Sequence, residues 1–105
     1  MIILGIDPGL GTMGYGVIEA QGDKRRVIHY GVISTKPGEA TPQRLRSVFK
    51  GVNQLLDIYQ PDDVAFEELF FSKNVTTGMA VSAARGAAIV AVAERTENLY
   101  EYTPN

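Results

Sequence analysis

The stretch Ile2-Ile3-Leu4-Gly5-Ile6-Asp7-Pro8-Gly9-Leu10-Gly11-Thr12-Met13-Gly14-Tyr15-Gly16-Val17 decides how the rest of the chain is read. Five of the six residues before Asp7 are apolar and the sixth is glycine, the pattern of a short strand. Pro8, Gly9 and Gly11 then turn the chain back into a second β-rich run, so Asp7 stands at the open end of the first strand. A run this apolar implies a strand covered on both faces. An acid carried there must be hydrogen-bonded, paired with a cation or bound to a metal, because an isolated buried charge is costly. Asp7 therefore either caps the turn by accepting from the amides that follow it or forms one half of a site. A second carboxylate brought beside it decides for the site.

The chain outward from that turn supplies a candidate. Tyr15 to Ala20 continues as a strand, Gln21-Gly22-Asp23-Lys24 turns, and Arg26 to Thr35 makes a third strand, which completes a meander. Lys36-Pro37-Gly38-Glu39-Ala40 is a loop. Thr41 followed by Pro42 predicts a helix whose N-cap is the Thr41 hydroxyl, with proline at the first helical position. Leu45, Val48, Phe49, Val52, Leu55, Leu56 and Tyr59 recur at spacings of three and four and give it one apolar face, and Pro61 ends it. Its other face carries Arg44, Arg46 and Lys50, which read equally as a solvated surface or as phosphate contacts. Val64-Ala65-Phe66-Glu67-Glu68-Leu69-Phe70-Phe71 then repeats the theme of the first strand, an apolar run interrupted by carboxylates.

A strand, helix and strand joined by a right-handed crossover run parallel. If the fourth strand neighbours the first, their C-terminal ends meet where ligands bind in open α/β sheets. Adjacent strands lie about 5 Å apart, close enough for Asp7 and one glutamate to share a divalent cation. Side chains alternate, so only one of Glu67 and Glu68 faces the same way as Asp7, and the pattern leaves open which.

Ser72-Lys73-Asn74 leads into a long helix over Val75 to Arg95 that is rich in Gly, Ala and Ser. Such a surface allows close backbone approach, either inside the monomer or along a seam between two copies. Leu99 to Tyr102 reads as a fifth strand. His29, the only histidine, lies in the third strand and receives no role.

Composition bounds the function. A chain of 105 residues with 45% hydrophobic and 21% charged residues suits one globular domain. Without cysteine there are no disulfides, thiolate metal sites or Cys nucleophiles. The net charge is −2, yet Lys24 to Lys50 holds seven basic residues against one acid, and Asp57 to Glu68 holds five acids and no base. That asymmetry permits a basic surface beside an acidic pocket. Neither a secretory signal nor a membrane-length apolar run is present, so a soluble cytoplasmic protein without a membrane partner is expected.

Two carboxylates at the ends of adjacent strands, in a sheet that opens with a meander, resemble the ribonuclease-H-like nucleases. The ordered set Gly5-Ile6-Asp7-Pro8-Gly9, Gly14-Tyr15-Gly16-Val17, Ala65-Phe66-Glu67, Lys73-Asn74 and Ala84-Arg85-Gly86-Ala87-Ala88-Ile89-Val90 is similar to the RuvC family of crossover-junction endodeoxyribonucleases, over essentially the whole chain. The resemblance implies an α/β, ribonuclease-H-like fold: a five-stranded mixed sheet, made of a three-strand antiparallel meander plus parallel strands, with helices packed on it. It implies one nuclease domain spanning 1–105 that is incomplete at its C-terminus.

Carried over by position, Asp7 matches the family's first catalytic metal ligand and Glu67 its second, while Glu68 falls where no acid is required. Phe70 matches an aromatic that stacks on an unpaired base at the exchange point, and Lys73 and Asn74 match positions near the DNA backbone. The resemblance further implies two Mg2+ ions per site, with Mn2+ as an alternative, cleavage of four-way (Holliday) junctions in recombination and repair, a homodimer matched to the junction's two-fold symmetry, and a branch-migration motor complex as partner. By the same resemblance, a further C-terminal helix contributes additional acids, or a histidine with an acid, to the metal site, so the 105-residue chain alone is expected to bind metal poorly and cleave little. The competing readings are an actin-like nucleotide-binding phosphotransferase, which needs a second lobe, an RNA-processing nuclease of the same fold, and a non-catalytic binding module.

Overall fold

The structure, a computed structural model, describes residues 1–67 and 75–102. Strands β1 (Ile2–Asp7), β2 (Thr12–Gln21) and β3 (Lys24–Ser34) are followed by α1 (Thr41–Tyr59), β4 (Asp63–Glu67), α2 (Val75–Ala93) and β5 (Leu99–Tyr102). They form one five-stranded sheet in the order β3-β2-β1-β4-β5. The first three strands pair antiparallel as the expected meander, and β4 and β5 are parallel to β1. The C-terminal ends of β1, β3, β4 and β5 therefore share one edge of the sheet.

Alternation sorts the sheet into two unlike faces. Leu4 and Ile6 of β1, Met13 and Val17 of β2, and Val64 and Phe66 of β4 form a single buried stripe under the helices. α1 meets them with Val48, Val52, Leu55 and Leu56, and α2 with Ala84, Ala88, Ala91 and Val92. Alanines at that spacing let α2 come close to α1, so the small residues do serve packing within the monomer. Burying a side chain the size of Phe66 contributes about 1.5–3 kcal/mol.

The other face is uncovered by the described elements. Tyr30, Val32, Tyr100 and Tyr102 there are roughly half exposed or more. The expectation that β1 is covered on both faces is corrected accordingly, because both helices pack on one side of the sheet.

The start of α1 also differs from expectation. Its N-cap is Ala40, without a side-chain cap bond, and Thr41 and Pro42 are both in the first turn. Proline is tolerated there because first-turn amides lack intrahelical acceptors in any case. At the other end Gln60 adopts φ 45° and its amide donates to the Leu56 carbonyl, which stops the helix before Pro61.

Edge strand β5 is tied to α2 by Arg85, whose Nη2 lies 3.0 Å from Glu101 Oε1. The contact is an ion pair without hydrogen-bond alignment, so the buried Nε and Nη2 of Arg85 have no hydrogen-bond partner among the described residues. The segment 68–74 lies outside the described residues.

Candidate active site

The register of β1 against β4 is set at their N-terminal ends. Ile2 N donates to Asp62 Oδ2 at 2.7 Å, and Asp62 N donates to the Ile2 carbonyl at 2.7 Å. From that clamp the ladder runs Ile3–Asp63, Leu4–Val64, Gly5–Ala65 and Ile6–Phe66. The next step sets Asp7 beside Glu67. Residues opposite each other in a parallel ladder face the same way. Ile6 and Phe66 point into the core, so Asp7 and Glu67 both stand on the open face. The choice left open by alternation therefore falls on Glu67.

The electrostatics of the pair follow from that placement. The Glu67 carboxyl is pushed above its ordinary range, first by loss of water, then by the negative charge of Asp7 and by a hydrogen bond to Asp7 that the protonated form keeps. Asp7 thus has a second carboxylate beside it across the ladder.

Tyr102 is a third member that the sequence reading did not single out. β5 pairs with β4 so that Tyr102 lies opposite Glu67, and its phenol is pushed up by burial and then by the charges of Glu67 and Asp7. The available signal was its place at the end of a fifth strand parallel to the fourth. One tyrosine at the end of a four-residue strand is too common to carry a role without that register.

Glycines keep the approach open. Gly14 pairs with Asp7, and a Cβ there would stand 3.7 Å from the Asp7 Cβ; around Gly16 there is open space. The turn after Asp7 is tightly held. A Cβ at Gly9 would run into the Thr12 carbonyl oxygen, so only glycine fits. Thr35 N donates to the Gly11 carbonyl at 3.0 Å, and Thr35 Oγ1 donates to the Leu10 carbonyl at 2.6 Å. Arg44 Nε in turn donates to Thr35 Oγ1 at 3.0 Å. Arg44 is thus half-buried and engaged at the turn, which departs from the solvated surface that was one of the two readings of its helix face.

Of the other residues singled out from the sequence, His29 is 3.1 Å from the Tyr15 hydroxyl and stacked on Tyr59, on the helix side of the sheet and away from the acids. Asp57 is paired with Arg95 at 2.6 Å, so the run of acids around the fourth strand is divided among separate tasks. Glu68, Phe70, Lys73 and Asn74 lie outside the described residues. Among the described residues no group of three or more His, Cys, Asp or Glu side chains converges on one point. Asp7 and Glu67 offer oxygen donors of the kind that hard divalent cations prefer, and their mutual repulsion is what such a cation relieves.

A family model for the crossover junction endodeoxyribonuclease RuvC matches residues 3–105. The chain belongs to the RuvC family. It is 53% identical over 104 residues to the crossover junction endodeoxyribonuclease RuvC of Alkaliphilus metalliredigens, covering 99% of this chain and 63% of that relative. The chain thus spans just under two thirds of the length of that RuvC relative. Among solved structures it is similar to Thermus thermophilus RuvC in complex with a Holliday junction substrate, with a TM-score of 0.91 and 35% identity over 99% of this chain and 64% of that one. The yeast mitochondrial Holliday junction resolvase Ydc2, 15% identical with a TM-score of 0.71 over 96% of this chain and 49% of that one, shares the fold. RuvC membership and the mixed sheet agree with the ribonuclease-H-like architecture read from the sequence, and the phosphotransferase alternative is not favoured. No helix among the described residues is long and apolar enough to cross a membrane.

Proposed function

We propose that this chain carries the active-site core of a structure-selective endonuclease that cuts four-way DNA junctions by metal-dependent phosphodiester hydrolysis. The observation that carries the reading is the placement of Asp7 beside Glu67, on one face at the C-terminal edge of the sheet, in a RuvC-family chain. That edge is where open α/β sheets bind ligands.

Asp7 and Glu67 are the residues that would hold Mg2+, with Mn2+ as an equivalent hard ion and two ions per site. When bound, such ions supply a polarised water and neutralise charge on the leaving oxygen. The chain's own contribution is positional. The Ile2–Asp62 clamp and the β ladder fix the two carboxylates relative to each other, Gly14 and Gly16 leave room above them, and Tyr102 flanks Glu67 on the far side. Phe70, Lys73 and Asn74 are proposed to contact the DNA.

A homodimer fits a substrate with two strands to cut. The outward face of α2 supports it: Met79, Ser82, Gly86 and Val90 are exposed, lie at helical spacing and include no charge.

A graft tests the reading. Placed in the Alkaliphilus metalliredigens relative in exchange for the matching 104 residues, this chain is expected to support Mg2+-dependent incision of a synthetic four-way junction. Asp7→Asn in the graft is expected to abolish incision and leave junction binding in place. Incision by the Asp7→Asn graft at the unsubstituted rate contradicts the proposal.

A further inference from the structure

Thr35 is the one polar residue buried among the described residues, at 8% exposure, and both hydrogen bonds it donates go to the turn that follows Asp7. Its amide and hydroxyl hold the carbonyls of Gly11 and Leu10, and the hydroxyl accepts from Arg44 Nε at 3.0 Å. A buried hydroxyl that both donates and accepts satisfies the cost of its burial. Pinning a turn needs only the bonds to Leu10 and Gly11, however, and a charged guanidinium is more than that task requires.

The topology says where the guanidinium sits. β3 runs parallel to β1, so Thr35 and the first turn of α1 lie at the same edge of the sheet as Asp7 and Glu67. Asp7 stands on the open side of that edge and Arg44 on the helix side, with the Pro8–Gly11 turn between them. The Arg44 Nη2 lies 3.7 Å from where a Cβ at Gly11 would be, at ordinary contact distance, so the fork stands beside the turn. Among the described residues only Nε of Arg44 is bonded; its two terminal nitrogens are unengaged. No acid lies in the first turn of α1, and Glu39 is the only acid between Lys24 and Lys50.

We propose that Arg44, oriented through Nε by Thr35, is a DNA-contacting residue of this site, its terminal nitrogens gripping a backbone phosphate that neighbours the one presented to Asp7 and Glu67. This rests on the nuclease reading above and adds a binding residue to it. A guanidinium with one nitrogen anchored keeps two parallel donors in a fixed plane, the geometry that suits a phosphate, and a lysine in its place would supply charge without that fork. A DNA strand crossing the edge of the sheet then meets carboxylates on one side of the turn and a fixed cation on the other. Thr35 is a positioning residue in this scheme, since it touches the turn and Arg44.

The test is equilibrium binding of a fluorescent four-way junction to the graft described above across a salt series, with thermal melts of every variant. Arg44→Met is expected to lower the slope of log K against log salt by about 0.9, one phosphate contact. Arg44→Lys is expected to keep the slope and lose affinity several-fold, because charge remains and the fork does not. Thr35→Val is expected to weaken binding several-fold with the Arg44 charge intact. Lys24→Met, the same charge change at the far end of the sheet, is expected to leave the slope alone. A folded Arg44→Met graft with an unchanged slope overturns the proposal and leaves the nuclease reading standing. Should Arg44→Met fail to fold, Arg44→Lys decides, and unchanged affinity in it overturns the proposal. An unsubstituted graft that does not bind the junction overturns the nuclease reading and the assignment of Arg44 together.

Discussion

Glu67 stands beside Asp7 across the β1–β4 ladder, one step beyond the buried pair Ile6 and Phe66, and both carboxylates face away from the core. Two acids sixty positions apart are brought together by a clamp at the opposite end of the same strands, where Ile2 and Asp62 exchange two hydrogen bonds of 2.7 Å. A ladder slipped by one residue would place Glu68 or Phe66 opposite Asp7 and reverse the facing of the acid. The site is thus a property of register as much as of residue type.

The pair makes stability depend on pH in a definite direction. Glu67 is raised above its ordinary value of 4.5, so the folded chain holds that proton more tightly than the unfolded chain does. Metal-free stability is therefore expected to be greatest below the ordinary carboxylate range with respect to this group, and to fall as pH rises from there through the raised value. Urea denaturation in chelator at stepped pH measures it. Glu67→Gln is expected to remove that component of the slope, and a Glu67→Gln profile parallel to wild type contradicts the assignment.

Among the described residues, Phe66 is the one fully buried aromatic of the core under the site. Phe66 is fully buried between its ladder neighbours and the helices, so Phe66→Ala is expected to cost about 3–5 kcal/mol in chemical denaturation. Tyr102→Phe removes only a hydroxyl from a side chain that is 48% exposed and is expected to leave global stability almost unchanged.

The turn is expected to be intolerant at one place. Gly9→Ala drives a methyl group against the Thr12 carbonyl oxygen, which is backbone and has little freedom to yield. A loss of about 1–3 kcal/mol is expected, with matching amide shifts from Asp7 to Gly14 in a heteronuclear spectrum.

On the proposed dimer face of α2, two substitutions separate folding from association. A Cβ at Gly86 meets open space, so Gly86→Ala is expected to stabilise the monomer by up to about 1 kcal/mol through helix propensity. Val90→Glu places a charge on the same exposed face and is expected to weaken self-association without lowering the melting temperature. Sedimentation equilibrium of both variants reads the difference.

Much of this was legible in the residues. The meander, the crossover through α1 and the parallel fourth strand follow from apolar spacing and from the glycine and proline breaks, and Asp7 announced itself as an acid at the end of an apolar run. Three things were not. Alternation cannot choose between Glu67 and Glu68, because the choice depends on which β4 residue pairs with Ile6. Coverage of β1 cannot be told from its composition, because that depends on which side of the sheet the helices take. The Arg44–Thr35–Leu10 chain joins residues from a helix, a strand end and a turn, and helical periodicity left Arg44 open between a solvated face and a phosphate contact because it describes α1 alone.

The most direct measurement is paramagnetic broadening of backbone amide signals as Mn2+ is added to the chain at neutral pH, a readout that registers even weak binding. Broadening centred on Asp7, Gly14, Glu67 and Tyr102 in wild type, and lost in Asp7→Asn and in Glu67→Gln, is the expected result. Broadening centred elsewhere, or undiminished in either variant, contradicts a shared cation at these two carboxylates.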